Sequence, residues 1–216
     1  MRLPVSPYAI KELFIFSAFL SMVIGYSLRV FPWISALCIL ALAFLWYFFR
    51  DPERVILKSK NKLLSPADGR VVEVTSVKED DFLKGEALKI SIFMSIFDVH
   101  VNRMPCSGRV EFLAHRNGRF FDARSPEASI RNECKLIGLV ADGGKKFLVK
   151  QIAGLVARRI VCPLNIGDHL EQGQRFGMVK FGSRVELYIP KNQPVHIRVK
   201  EGQKVKAGVT VLAELV

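Results

Sequence analysis

The dipeptide Gly182-Ser183 carries the most suggestive chemistry in this chain of 216 residues. It interrupts a stretch in which Val179 and Phe181 alternate with Lys180, and Val185, Leu187 and Ile189 alternate with Glu186 and Tyr188, the two-residue period of a half-buried strand. A glycine inside such a pattern marks a bulge or a close backbone approach, and one reading is simply a bulge that carries a serine. The other reading is chemical. In a strained Gly-Ser peptide the Ser183 hydroxyl can attack the Gly182 carbonyl, for which glycine leaves room, and turn the amide into an ester. Elimination across Ser183 then cuts the chain and leaves a dehydroalanine, which hydrolyses to ammonia and a pyruvoyl group, a ketone that acts as an electron sink. Gly-Ser is a common dipeptide, so its surroundings must decide.

Three further residues could serve that chemistry. Asp68 lies in Pro66-Ala67-Asp68-Gly69, a turn signal in which aspartate bonds its own backbone unless it carries chemistry. His100 follows the apolar run Leu88–Phe97 and is either a satisfied surface or core histidine or a residue that carries chemistry. Arg103, close by, is a solvated charge or a fork for a carboxylate or phosphate. His115, His169 and His196 have no supporting neighbours and read as structural. Cys38, Cys106, Cys134 and Cys162 are too far apart for a zinc or redox pair, so no metal is expected and the thiols read as reduced, in keeping with a cytoplasmic domain.

The elements that must position these residues fall into two parts. Leu13–Leu28 and Val30–Phe49 are apolar runs of 16 and 20 residues; the second is long enough to span a bilayer and the first is slightly short. Trp33, Trp46 and Tyr47 suit the interface. A tight hairpin turning near Arg29-Val30-Phe31-Pro32 is favoured over one span with an interfacial helix. Arg50, Arg54, Lys58, Lys60 and Lys62 follow at once, and with Arg2 and Lys11 they place the large domain on the cytoplasmic side. Of the net charge of +12, about +10 falls after residue 49, which suits an anionic lipid surface. The basic residues are scattered without a recognition-helix pattern, so no nucleic-acid partner is expected.

From Leu63 the pattern turns to short alternating strands, with Gly143-Gly144 as a hairpin signal between Leu136–Ala141 and Lys146–Ile152, and a strand-like Gly154–Cys162. Arg116–Arg131 is basic and irregular. A weak repeat, Gly167 to Gly173 and Gly202 to Gly208, has the Gly-x5-Gly spacing that turns one strand into the next in small sandwiches and barrels. The expected fold is mainly β: N-terminal hydrophobic membrane helices and linker over residues 1–62, then a compact β-sandwich or barrel-like domain over 63–216.

Phe48-Phe49-Arg50-Asp51-Pro52-Glu53-Arg54, Ser65-Pro66-Ala67-Asp68-Gly69, Phe97-Asp98-Val99-His100-Val101-Asn102-Arg103-Met104-Pro105 and Phe181-Gly182-Ser183-Arg184 occur in that order, and together the chain resembles the short bacterial phosphatidylserine decarboxylases over nearly its whole length. The resemblance implies a self-processing, pyruvoyl-dependent carboxy-lyase. It would be cut between Gly182 and Ser183 into chains 1–182 and 183–216 that stay associated, with a covalent pyruvoyl group from Ser183. The enzyme would convert phosphatidylserine in the cell membrane to phosphatidylethanolamine and carbon dioxide through a Schiff base with the substrate amine, its catalytic domain on the cytoplasmic side. It further implies an Asp-His-Ser relay of Asp68, His100 and Ser183. Long-type members have His-x-x-His before Met-Pro, where this chain has His100 and Arg103. They also have Leu-Gly-Ser-Thr where this chain has Phe-Gly-Ser-Arg. Arg103 becomes a candidate for substrate binding, and Arg50 and Arg54 for attracting the headgroup. Whether copies assemble into a homo-oligomer stays open. The competing readings are a non-enzymatic membrane-anchored domain of biotinyl or lipoyl type, which lacks its modified-lysine turn here, and a pyruvoyl decarboxylase of a soluble amino acid, which leaves the apolar runs without purpose.

Overall fold

The structure, a computed structural model, describes residues 4–155, 160–180 and 182–216. It divides into two compact units, Met1–Glu53 and Arg54–Val216.

The first unit is a helical hairpin. Ser6 Oγ accepts a hydrogen bond from the Tyr8 amide at 3.3 Å, and Pro7 opens a 3-10 turn, Pro7–Ala9, that continues into α1, Ile10–Ser27. Pro32 opens α2, Pro32–Phe48; proline suits this position because the first amides of a helix have no partner within it. The turn is tied by buried Ser27 Oγ and Ser35 Oγ, 2.7 Å apart. The open end is tied by the Ser6 amide donating to Phe49 O and the Asp51 amide donating to Pro4 O, both at 2.8 Å. The lengths reverse the sequence expectation. Pro7–Ser27, 21 residues, is long and apolar enough to cross a membrane, whereas α2 has 17; these are about 31 and 26 Å against a hydrocarbon core of about 30 Å. The Ser6-Pro7 start extends the first helix ahead of its apolar run, and Pro32 delays the second. Phe19, Met22, Leu37 and Leu40 are among many large apolar side chains left exposed.

The second unit is mainly β, as expected. Its elements are β1 (Lys62–Leu64), β2 (Gly69–Glu79), β3 (Gly85–Met94), β4 (Val101–Arg103), β5 (Gly108–Arg116), the short helix α3 (Pro126–Arg131), β6 (Cys134–Ala141) and β7 (Lys146–Ile152). They continue with β8 (Ile160–Val161), β9 (His169–Leu170), β10 (Arg175–Val179), β11 (Ser183–Pro190), β12 (Val195–Ile197), β13 (Lys204–Val205) and β14 (Val211–Leu215). An eight-stranded sheet runs β13-β2-β3-β11-β7-β6-β5-β9, and two three-stranded sheets run β1-β14-β12 and β4-β10-β8. The Gly143-Gly144 hairpin joins β6 to β7 as the dipeptide predicts. Of the strand expected over Gly154–Cys162, residues 156–159 lie outside the described residues and Ile160–Val161 is a strand.

The large sheet curls into a half-barrel, and the glycine repeat explains how its edges meet. The two repeat units hold β9 and β13, its two edge strands. Their closing glycines come together: a Cβ on Gly208 would lie 3.6 Å from Gly173 Cα, and Cβ atoms on Gly173 and Gly208 would come within 2.6 and 2.9 Å of the Ile56 side chain. Residues 54–59 are thus a strap rather than a loose linker. Arg54 and Ile56 dock inward and Lys58 pairs with Glu171 at the surface, while Val55 and Leu57 are exposed. The main core fills the curl with Ile90, Ile92, Ile137, Val149, Val185 and Leu187, all fully buried.

Candidate active site

The Gly-Ser dipeptide is not a bulge within one strand. Val179 ends β10 in a three-stranded sheet, and Ser183 begins β11 in the eight-stranded sheet, so the interruption is where the chain changes sheets. Phe181 lies outside the described residues. Alternation on both sides hides the change, because each strand keeps the same period in its own sheet. Gly182 has φ +61°, the left-handed region that glycine enters without the cost of a Cβ. Its carbonyl oxygen presses on Gly154: a Cβ there would lie 2.0 Å from Gly182 O and 3.2 Å from Ala123 Cβ. Ser183 is fully buried, and its Oγ has no hydrogen-bond partner among the described residues. Leaving a buried hydroxyl unsatisfied costs about 1–3 kcal/mol.

His100 is brought to the same crossing by topology. Ser183 pairs with Met94, the last residue of β3, and Val101, the first of β4, pairs with Met178 in β10. The connections 95–100 and 180–182 therefore run between the same two sheets. Asp98 organises the first of them, its Oδ2 accepting from the Ser95 amide at 2.8 Å and from Ser95 Oγ at 2.7 Å. The buried His100 has Nδ1 3.0 Å from Asp98 O. A carbonyl only accepts, so Nδ1 carries the proton, and whenever the imidazole is neutral Nε2 holds its lone pair. On the same face of β4, two residues on, Asn102 Nδ2 lies 3.7 Å from Met94 Sδ, and Asn102 Oδ1 accepts from Gln151 Nε2 at 2.7 Å. Sequence reading gave no role to Gly154, Asn102 and Gln151; the one available signal was Gln151 near the end of the largely apolar run Phe147–Ile152.

Asp68 is held by an ion pair and a backbone amide. Its Oδ1 accepts from Arg54 Nη1 at 2.6 Å and from the Ala207 amide at 2.7 Å, and its Oδ2 from Arg54 Nη2 at 2.8 Å. It is the Asp98 carbonyl, not this carboxylate, that holds His100 Nδ1. Arg54, expected to face anionic headgroups, is buried in this pair and also donates to Ala207 O. Arg103 is buried too, with Nη1 donating to Gly173 O at 3.1 Å and its stem against Gly208. The exposed His169 pairs with Asp142 at 2.7 Å, and His115 bonds Asn117. All four cysteines are free thiols, and burial, with Asp142 nearby, pushes Cys106 up to about 12.

Behind Ser183 lies a buried ionic layer that the alternating pattern of β11 did not predict. Val185, Leu187 and Ile189 face the main core, but Arg184, Glu186 and Tyr188 are covered as well. Arg184 Nε lies 2.8 Å from Glu186 Oε1, and Nη2 donates to Ser91 Oγ at 2.7 Å and to Glu73 Oε2. Glu186 Oε2 also accepts from Tyr188 OH at 2.6 Å and from Ser129 Oγ of α3 at 3.0 Å. Burial, then the Glu186 charge, pushes the Tyr188 hydroxyl far up. At Glu73 burial acts upward, but Lys89 and Arg184 outweigh it and hold the carboxyl below its usual range.

The comparison with known sequences agrees with this architecture. The sequence model of the family described as phosphatidylserine decarboxylase matches residues 41–213. A protein named phosphatidylserine decarboxylase proenzyme from Desulfotalea psychrophila is 43% identical over 201 residues, covering 93% of this chain and 92% of its own. Proteins of the same name from Carboxydothermus hydrogenoformans and Cupriavidus pinatubonensis are each 46% identical, over 85% and 94% of this chain and 85% and 92% of their own. The chain belongs to the phosphatidylserine decarboxylase family, a family of carboxy-lyases whose members here are named as precursors.

Proposed function

We propose that this chain is a membrane-associated phosphatidylserine decarboxylase that cuts itself between Gly182 and Ser183 and works through a pyruvoyl group derived from Ser183. The observation that carries the reading is the Ser183 hydroxyl, buried without a hydrogen-bond partner among the described residues, beside a left-handed Gly182 whose carbonyl is fixed against Gly154. His100 Nε2 takes the hydroxyl proton as Oγ adds to the Gly182 carbonyl. The C–N bond breaks, the nitrogen is protonated, and an ester joins Gly182 to Ser183. Loss of the Ser183 α-proton and departure of the Gly182 carboxylate leave the dehydroalanine, whose hydrolysis releases ammonia.

The site fits the resulting group, because residue 183 keeps its place as the first residue of a strand paired on one side with β3 and, from Arg184, on the other with β7. Strands β11 to β14 all belong to residues 183–216, so the small chain is woven through two sheets and stays with the large one. When formed, the pyruvoyl ketone supplies the electron sink for decarboxylation of a serine headgroup. His100 then returns a proton to the product. Asp68 contributes through Arg54, by fixing the strap and the Ala207 turn, and Arg103 holds the Gly173 turn. The helical hairpin keeps the protein at the membrane, with Arg50, Lys58, Lys60 and Lys62 favouring the cytoplasmic side. Ser183→Ala tests the reading: wild type should run as two pieces on a denaturing gel and release carbon dioxide from phosphatidylserine. The variant should stay uncut and inactive, and an uncut but active variant would overturn it.

A further inference from the structure

The face of the eight-stranded sheet covered by α3 carries two adjoining cavities. One, of about 420 Å³, is lined by residues that include Val77, Lys89, Pro126, Ile130, Lys150 and Tyr188; the other, of about 260 Å³, shares Lys78, Arg116, Lys150 and Tyr188 with it. At the rim Lys78 pairs with Asp80 at 2.9 Å, and Arg116 pairs with Asp81 through one of its two terminal nitrogens. The layer beneath is buried. It holds Arg184, Lys89 and Lys150 beside Glu73 and Glu186, and the buried Glu79 lines the smaller cavity. Arg184 bridges both carboxylates and Lys89 pairs with Glu73 at 3.0 Å. Lys150, 9% exposed, donates to Ser129 O at 2.6 Å and has no carboxylate within ion-pair distance among the described residues. An ammonium has three donors, and a buried charge without a counter-ion is costly.

We propose that the larger cavity, whose lining holds Lys78, Lys89, Arg116 and Lys150 and no carboxylate, binds an anion of the phosphate class, with Lys150 as its central ligand and Lys89 and Arg116 around it; Glu79, Asp80 and Asp81 line the smaller one. Glu186, across the strand pair from Lys150, and Tyr188 are three and five residues along β11 from Ser183, about 10–17 Å, and point to the opposite face from Val185 and the main core. A serine amine reacting at residue 183 could not place its own phosphodiester so far away, so this is a second site. Ile130, 86% exposed, with Pro126 and Val77 gives the rim an apolar side suited to an anion that bears hydrocarbon.

The test is thermal melting of the full chain in nonionic detergent. One series adds sodium phosphate against sodium chloride of equal ionic strength; another adds a short-chain phosphatidylglycerol below its micelle concentration against the matching phosphatidylcholine. The melting temperature should rise, and should rise equally in Ser183→Ala. A rise with phosphate assigns a free anion, and a rise with phosphatidylglycerol alone assigns a lipid headgroup. Lys150→Met should weaken the apparent affinity by about tenfold or more, the loss of a charge-assisted hydrogen bond. Arg116→Gln, at an exposed position that leaves the core intact, should weaken it by a smaller factor. No rise with either probe, or a rise of the same size in both variants, overturns the proposal.

Discussion

Substitution of Gly154 by alanine puts the geometry of the scissile bond directly at risk. The added Cβ would sit 2.0 Å from Gly182 O, where ordinary contact begins at 3.4 Å. The carbonyl would have to retreat by about 1.4 Å, since repulsion at that range far exceeds any single contact energy. The neighbouring Ala123 Cβ, 3.2 Å from the same point, hinders relief by moving the methyl instead. Overpacking of this kind costs about 1–3 kcal/mol, and β11, paired with both β3 and β7, can carry it without unfolding. A displacement of about 1 Å in a reacting group can cost about 100-fold in rate, so self-cleavage should slow by about that factor. The assay is the time course of the two-chain pattern on a gel after synthesis in vitro, with a melting curve of the same sample to show that the domain is folded. A folded Gly154→Ala protein that processes at the wild-type rate would refute the claim that this contact sets the attacked carbonyl.

Three other outcomes follow from the same geometry. His100→Gln should slow processing by about 100- to 10,000-fold, the usual range for loss of a general base, read by the same gel. Asp68→Asn leaves Arg54 buried without its counter-ion and should cost about 3–5 kcal/mol in urea unfolding, whereas Arg54→Met with Asp68→Leu should recover most of it. Glu73 is held below its usual range in the folded state, so its contribution is fully present above the unfolded value of about 4.3 and is lost as pH falls through the lower folded value; melting temperature between pH 6 and 3 should fall, and fall less in Glu73→Gln.

The β-rich class was legible because alternation is local: β2, β3, β5, β6 and β7 all fall on stretches that read as strands. The candidate chemistry was legible because Gly182-Ser183 and His100 stand in short, distinctive runs. What the sequence concealed is non-local. Nothing near Val179 announces that the next strand joins another sheet, since both strands keep a period of two. Nothing near Glu186 announces that α3 will bury it, because a polar alternate position reads as solvent-facing. Arg54 looked like one of several basic residues after an apolar run, and only the fold brings Asp68 and the Ala207 turn to it. The Gly-x5-Gly repeat was visible as spacing, but its reason, two sheet edges closing on Ile56, required the third dimension.

The most direct measurement is the mass of the purified, active protein and of its small piece. The account predicts a fragment of residues 183–216 that is lighter by one ammonia than a serine-initiated peptide, resists amino-terminal sequencing, and reacts at that end with a carbonyl reagent. Active protein in which residue 183 is an ordinary serine, cut or uncut, would contradict it.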